Sequence, residues 1–204
     1  MKLLHYYTGI TISLFIGMHI LNHFMIFHSE RMHIQFMNRM RKIYRNPVIE
    51  TILLLAILTQ IITGPILIIA KWNKATEFFD WLQIFSGLYL ALFLANHVKA
   101  VMMGRHKLHL DTNLYYGAGV MNMWPHKLFF IPYYSLAIFS FFSHVGSIHR
   151  FKIEGFVGAA AAKTQGYIII ATGAIATSIL IARLSHLKDF HVDTIRATAK
   201  HENI

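Results

Sequence analysis

The chain has 204 residues, 55% of them hydrophobic and only 14% charged, with a formal charge of +10 and a positive mean hydropathy. That balance describes an integral membrane protein with room for one domain, residues 1–204, and excludes a soluble globule. The lack of cysteine excludes disulfides, thiolate ligands and cysteine-held iron–sulfur clusters, and with no soluble basic patch interleaved with aromatics to bind nucleic acid, the charge is better explained by lipid headgroups or an acidic partner.

Five apolar runs each approach the roughly 20 residues a helix needs to cross about 30 Å of hydrocarbon. The first, Tyr6 to Phe27, follows a single Lys2 and contains two histidines, so it reads as a span and not as a cleaved signal peptide. His28 to Asn46 mixes Arg and Lys with Met32, Ile34, Phe36, Met37, Met40 and Ile43 at helical spacing. This predicts an amphipathic helix in the headgroup plane. Pro47 opens the second span, where its missing N–H is harmless, and the span continues to Ala70 with a kink expected at Gly64-Pro65. Lys71 to Asp80 is a short polar turn carrying Trp72 and followed by Trp81, candidates for an aromatic belt.

The third span runs from Leu82 to Met103 and is expected to stop at Gly104-Arg105. His106 to Lys127 forms a longer polar loop, in which Asp111-Thr112-Asn113 reads as a cap or turn. Leu128 to Ile148 is the fourth span, Arg150 to Thr164 a short connection, and Tyr167 to Leu184 a fifth span whose Gly, Ala and Ser allow close helix contact in lipid. A polar tail starts at Ser185. The expected fold is therefore all-α, a membrane bundle of five transmembrane helices with an interfacial amphipathic helix between the first and second. Six of the nineteen Lys and Arg residues (Lys2, Lys71, Lys74, Arg150, Lys152, Lys163) lie on the N-terminal side of this topology. The remaining thirteen, counting Lys99 as reaching the near interface, place the C-terminus in the cytoplasm.

One phrase occurs twice. Thr8-Gly9 is followed by Leu14-Phe15 and His19, and Ser86-Gly87 by Leu92-Phe93 and His97, with each histidine ten residues after its glycine. An imidazole inside a lipid-spanning helix is costly without a partner, and its common uses are metal or haem ligation, proton relay and an interhelical hydrogen bond. Spans one and three cross in the same direction, so His19 and His97 lie at nearly equal depth and are candidates for the axial pair of one haem iron. The small residues Gly9, Ser13, Gly17, Gly87, Ala91 and Ala95 suggest room for a flat ring. The plainer alternative is that the two histidines make packing contacts.

His23, one turn beyond His19, is a candidate replacement ligand or a partner for a haem propionate. His144, on the oppositely directed fourth span, lies about 10 Å deeper at 1.5 Å per residue and cannot share that iron. A second haem there needs another histidine, and the second span offers Gln60 and Thr63 instead. Glu50, in the first turn of span two, is a candidate proton-handling group beside a quinone, or else the partner of Arg45 or Arg105. Arg45, Lys99 and Arg105 are candidates for propionates or lipid phosphates.

Five spans with a hydroxyl-Gly, Leu-Phe and in-helix His pattern on the first and third resemble the five-helix cytochrome b membrane anchor of succinate dehydrogenases and fumarate reductases. The resemblance covers Thr8 to Ile148 in topology and is specific at the two His segments. It implies haem b as cofactor, quinone as electron-exchange partner, flavoprotein and iron–sulfur partner subunits, and a place in a bacterial inner membrane. His19 and His97 match one of that family's haem pairs. His144 matches a ligand of the second pair, for which span two here has no histidine. The functional expectation is electron transfer within a quinone oxidoreductase complex, with no self-contained catalytic site. A non-haem accessory subunit with the same bundle is the alternative.

Overall fold

The computed structural model describes residues 1–188 and 190. Among them are seven α-helices and no strand. They are α1 (Lys2–Phe24), α2 (Glu30–Tyr44), α3 (Pro47–Trp72), α4 (Phe78–His106), α5 (Leu114–Ala118), α6 (Lys127–Val157) and α7 (Ala159–Leu184). The helices α1, α3, α4, α6 and α7 are long and apolar enough to cross a bilayer, α1 with the single 3-10 turn Met25–Phe27 that extends it. The protein is an all-α integral membrane bundle, and the apolar side chains exposed along its spans are its lipid-facing surface. The polar tail beyond Phe190, whose side of the membrane the charge count assigned, lies outside the described residues.

Neighbours in sequence are neighbours in space: α1 packs on α3, α3 on α4, α4 on α6 and α6 on α7. With alternating directions, this row brings the C-terminal ends of α1, α4 and α7 to one end of the bundle. There the segment between α4 and α6 does not remain a polar loop. Leu114, Ala118 and Met121 are buried with Ile20 and Ile26 from the α1 end and with Leu180, Ile181 and Leu184 of α7. The segment was expected outside the bundle because its glycines and polar residues hide three apolar positions at near-helical spacing.

Helix ends also depart from the sequence expectation. The stretch Arg150 to Thr164 is helical except at Gly158, whose φ of 83° reverses the chain between α6 and α7 in one residue. Only glycine adopts that conformation without penalty, and the alanine run after it favours helix. α4 starts at Phe78, where Glu77 and Asp80 form a reciprocal capping box, and it continues through Gly104 to His106. Gly104 is not a stop: a Cβ there would lie 2.7 Å from the Tyr116 hydroxyl, so it makes room for the buried α4–α6 segment, which plugs this end of the bundle. α3, by contrast, is the continuous second span expected from Pro47, with Pro65 inside the helix.

The closest packing is between α6 and α7, where Gly146 faces the carbonyl of Gly166, and a Cβ on Gly173 would lie 2.2 Å from Cβ of Phe142. Close approach of helix backbones gains dispersion contacts that lipid chains cannot match. Gly173→Ala is expected to lower the thermal midpoint of the detergent-solubilised protein through an overpacking cost of about 1–3 kcal/mol. Gly155→Ala, whose added carbon would meet nothing within 4 Å, is the neutral control. Equal midpoints for the two variants would show that α7 does not approach α6 this closely.

Candidate functional site

Four histidines from three helices meet near the end of the bundle that carries the plug. α1 supplies His19 and His23, α4 supplies His97, and α2 supplies His33. The side chains of His19 and His97 face each other across the α1–α4 gap, their ring centroids 6.3 Å apart and their planes at 63°. Each ring is stacked on the phenylalanine four residues earlier, His19 on Phe15 and His97 on Phe93. The repeated Leu-Phe pattern therefore orients the imidazoles. Below them Ile12, Ala56 and Ile57 form a small core, joined by Ile16, Leu94 and Val98, that fixes the relative height of α1, α3 and α4.

From this pair a line of imidazoles leads toward α2. Nε2 of His23 lies 3.2 Å from Nε2 of His19, and Nδ1 of His23 lies 3.2 Å from Nε2 of His33. Nε2 of His33 is also 3.3 Å from the side-chain amide nitrogen of Asn22. His33 was not singled out in the sequence because it belongs to a basic, amphipathic segment. Its only signal is position: it sits on the same helix face as Glu30, Met37 and Arg41, which are the other buried residues of α2. The face that α2 turns to the bundle thus buries three polar side chains beside Met37 and the half-buried Ile34, while Arg31, Gln35, Asn38, Arg39 and Lys42 are exposed. Burial pushes the His33 imidazole down to about 4, and the neighbouring His19 and Arg41 push in the same direction, so it is neutral at pH 7.

Local chemistry explains why α2 folds back over the end of α1. The Ser29 hydroxyl caps α2 by accepting from the Met32 N–H at 3.0 Å, a short distance after the 3-10 turn that ends α1. The buried Glu30 carboxylate then accepts from the Tyr115 hydroxyl at 3.2 Å and the Lys188 N–H at 2.6 Å, with Arg183 at 3.8 Å. At the other end Arg41 pairs with Asp111 at 2.7 Å and Arg45 donates to Thr112 at 3.1 Å. The tripeptide Asp111-Thr112-Asn113 does more than make a turn: it anchors two arginines, and Asn113 caps α5. Arg45 has its guanidinium pKa pushed down by burial and by Arg41 and Arg105 nearby.

The remaining candidates separate. Glu50 and Arg105 are bound to each other as a two-point pair, so Glu50 is not an open carboxylate beside a quinone. Lys99 is exposed. His144 packs into the space left by Gly87, where a Cβ would lie 2.9 Å from its ring, and Nδ1 lies 3.2 Å from the Gln83 carbonyl and 3.3 Å from the Ser86 hydroxyl. At its level α3 offers Gln60 and Thr63, which are engaged with His5 and Thr8.

The small residues of the repeat do not make a ring-shaped space against the histidines. Gly9 is filled by Gln60, Gly87 by His144, and Gly17 opens where nothing lies within 4 Å. At 100° per residue, Gly17 lies about 160° round the helix from His19. The opening beside the histidines comes from the helix arrangement instead: His19 is exposed and α1 makes no broad contact with α6 or α7.

Two imidazoles bound to opposite sides of one metal ion, each nitrogen about 2 Å from it, have ring centroids about 6 Å apart. The His19–His97 separation fits that arrangement. Among the described residues no group of three or more His, Asp and Glu side chains is placed to hold a metal ion. Asn22 Oδ1 and His33 Nδ1 are buried with no hydrogen-bond partner among the described residues. In comparisons with known proteins the chain matches no family model, no curated protein and no solved structure.

Glu30 holds α2 over the histidines, so Glu30→Ala is expected to cost about 1–3 kcal/mol through the donors it leaves unpaired. Hydrogen exchange should rise selectively across residues 30–44. Unchanged protection there would show that α2 is held by other contacts.

Proposed function

We propose that this protein is a membrane b-type cytochrome that carries electrons between a quinone pool and a partner redox subunit. The observation that carries the reading is the opposed pair His19 and His97, set 6.3 Å apart at one depth on two helices running in the same direction. Haem iron with two histidine ligands takes its other four ligands from the macrocycle, so two imidazoles are all the protein has to provide. When bound, haem supplies one-electron transfer with no open iron position for oxygen.

The protein's own residues have separable tasks in this reading. His19 and His97 ligate, and Phe15 and Phe93 keep their rings from turning. Arg41 and Arg45 supply positive charge on the side of His33, and Arg41 Nε, Arg41 Nη2 and Arg45 Nε are buried donors without partners among the described residues, suited to carboxylates. The His23 ring stands edge-on to the His19 ring, centroids 4.6 Å apart at 78°, and limits its rotation. Lipid contact is provided by the five spans, and a flavin or iron–sulfur partner would dock outside them.

One observation favours a second reading, a haem-free accessory subunit with the same bundle. The His19 nitrogen that would bind iron is already 3.2 Å from His23, so three of the four imidazoles, His19, His23 and His33, can satisfy one another. A reduced-minus-oxidised spectrum of protein purified from haem-replete cells separates the two. The expected result is a b-type α-band at about one haem per chain, lost in His97→Ala and in His19→Ala and kept in His144→Asn. A featureless spectrum removes the cytochrome reading, and a full-strength band in His97→Ala shows that the ligands lie elsewhere.

A further inference from the structure

The side of His97 turned away from His19 borders a second feature. Between α4 and α6 is an open cavity of about 330 Å³, lined by Asn96, His97, Ala100, Phe130, Tyr133 and Tyr134 among others, and by no residue of α1. It adjoins the His19–His97 gap at His97 without reaching α1. Its volume is at the lower end of the range typical of small-molecule sites. The Tyr134 ring stands 6.5 Å from His97 at 86°, and Phe93 and Tyr133 are 5.0 Å apart at 43°, so the walls are largely aromatic.

Asn96 is the anomaly. It lies well inside a membrane span, yet it is exposed. Its amide N–H donates to the Leu92 carbonyl of its own helix at 2.9 Å, and its Oδ1 takes no hydrogen bond from a described residue. The Tyr134 hydroxyl, on the facing helix, has no hydrogen-bond partner among the described residues either. An acyl chain in this cavity would leave both groups unpaired in hydrocarbon, at a cost of about 1–3 kcal/mol each. A planar apolar ring with oxygens on its edge would accept from the Tyr134 hydroxyl and the second Asn96 N–H, would donate to Asn96 Oδ1 when reduced to the hydroxyl form, and would stack on the aromatic walls.

We infer that the cavity between α4 and α6 at Asn96, His97 and Tyr134 binds the ring of a lipid-soluble quinone, entering sideways from the bilayer. This rests on the electron-carrier reading for its purpose but not for its geometry. It places the ring against His97 and away from Glu50, which Arg105 occupies. Tyr134 donates to one ring oxygen, and the second N–H of the Asn96 carboxamide is available to the same edge.

The test is photolabelling of the purified full-length protein in phosphatidylcholine nanodiscs with a short-tailed azidobenzoquinone, mapped by mass spectrometry. Labels are expected on residues 96–100 and 129–134, displaced by unlabelled decylbenzoquinone but not by palmitate. Ala100→Phe, which fills the cavity, is expected to reduce labelling about tenfold or more, and Asn96→Leu and Tyr134→Phe about three- to tenfold each. Asn96→Leu places an apolar side chain at a lipid-exposed position, so its labelling decides the matter if Ala100→Phe fails to fold. Displacement by palmitate, labels clustered around Glu50, no labelling, or labelling indifferent to all three substitutions would each overturn the inference. The haem spectrum, recorded on the same samples, is read separately: a missing band with the cavity still labelled removes the cytochrome reading alone, and a normal band with no cavity labelling removes the quinone site alone.

Discussion

A polar side chain carried into the hydrocarbon must find a partner there, because no water is available to solvate it. In this protein that constraint falls on imidazoles, and much of the architecture at one end of the bundle follows from how they are met. His19 and His97 face each other, His23 bridges from His19 toward His33, and His33 reaches Asn22. A bundle of five apolar rods has little preference for register in lipid, where one leucine is as well solvated as another. The histidine pair, together with Gln60 bonded to Thr8 and His144 seated on Gly87, supplies specific heights at which the helices fit.

The amphipathic segment takes part in this in a way its composition conceals. α2 presents Glu30, His33 and Arg41 inward together with Met37 and the half-buried Ile34, so its inner face mixes charged and apolar groups. Buried charges require matching groups, and those come from far along the chain: Tyr115 and Lys188 for Glu30, Asp111 for Arg41 and Thr112 for Arg45. Folding α2 over the bundle thus depends on the α4–α6 segment having formed its plug, and the plug depends on α7 to bury Leu114 and Met121. The far end of the bundle is held by ion pairs instead, with buried Arg150 joining Glu77 at 2.9 Å and Glu154 at 3.2 Å, and Lys71 joining Asp80 at 2.8 Å.

His97 is flanked by two distinct environments. On one side is His19 across a gap left by helices that do not pack broadly, and on the other an aromatic cavity open to the bilayer. In the reading proposed above, His97 would belong to both a ligand pair and a ring site, which would suit electron exchange over a short distance. The ion pair of Glu50 with Arg105 and the burial of His144 against Gly87 assign those side chains to holding helices together. This division gives the polar residues of the spans either a structural partner or a place beside one of the two openings.

Hydrophobic run length fixed the five spans, their alternation and the interfacial segment before any coordinates, because crossing a bilayer demands a minimum apolar length that few other constraints mimic. The duplicated His pattern was equally visible, since equal spacing from a shared landmark on parallel helices gives equal depth. What sequence could not give was azimuth and partnership. Whether Gly9 and Gly87 clear space for a ring or receive Gln60 and His144 depends on how neighbouring helices are rotated. His33, Asp111 and Asn96 acquire meaning only from residues distant in the chain or from an opening between helices. Those placements are decided by side-chain packing in three dimensions, where a rotation of one helix by 100° exchanges the residue that meets a neighbour for the one that meets lipid.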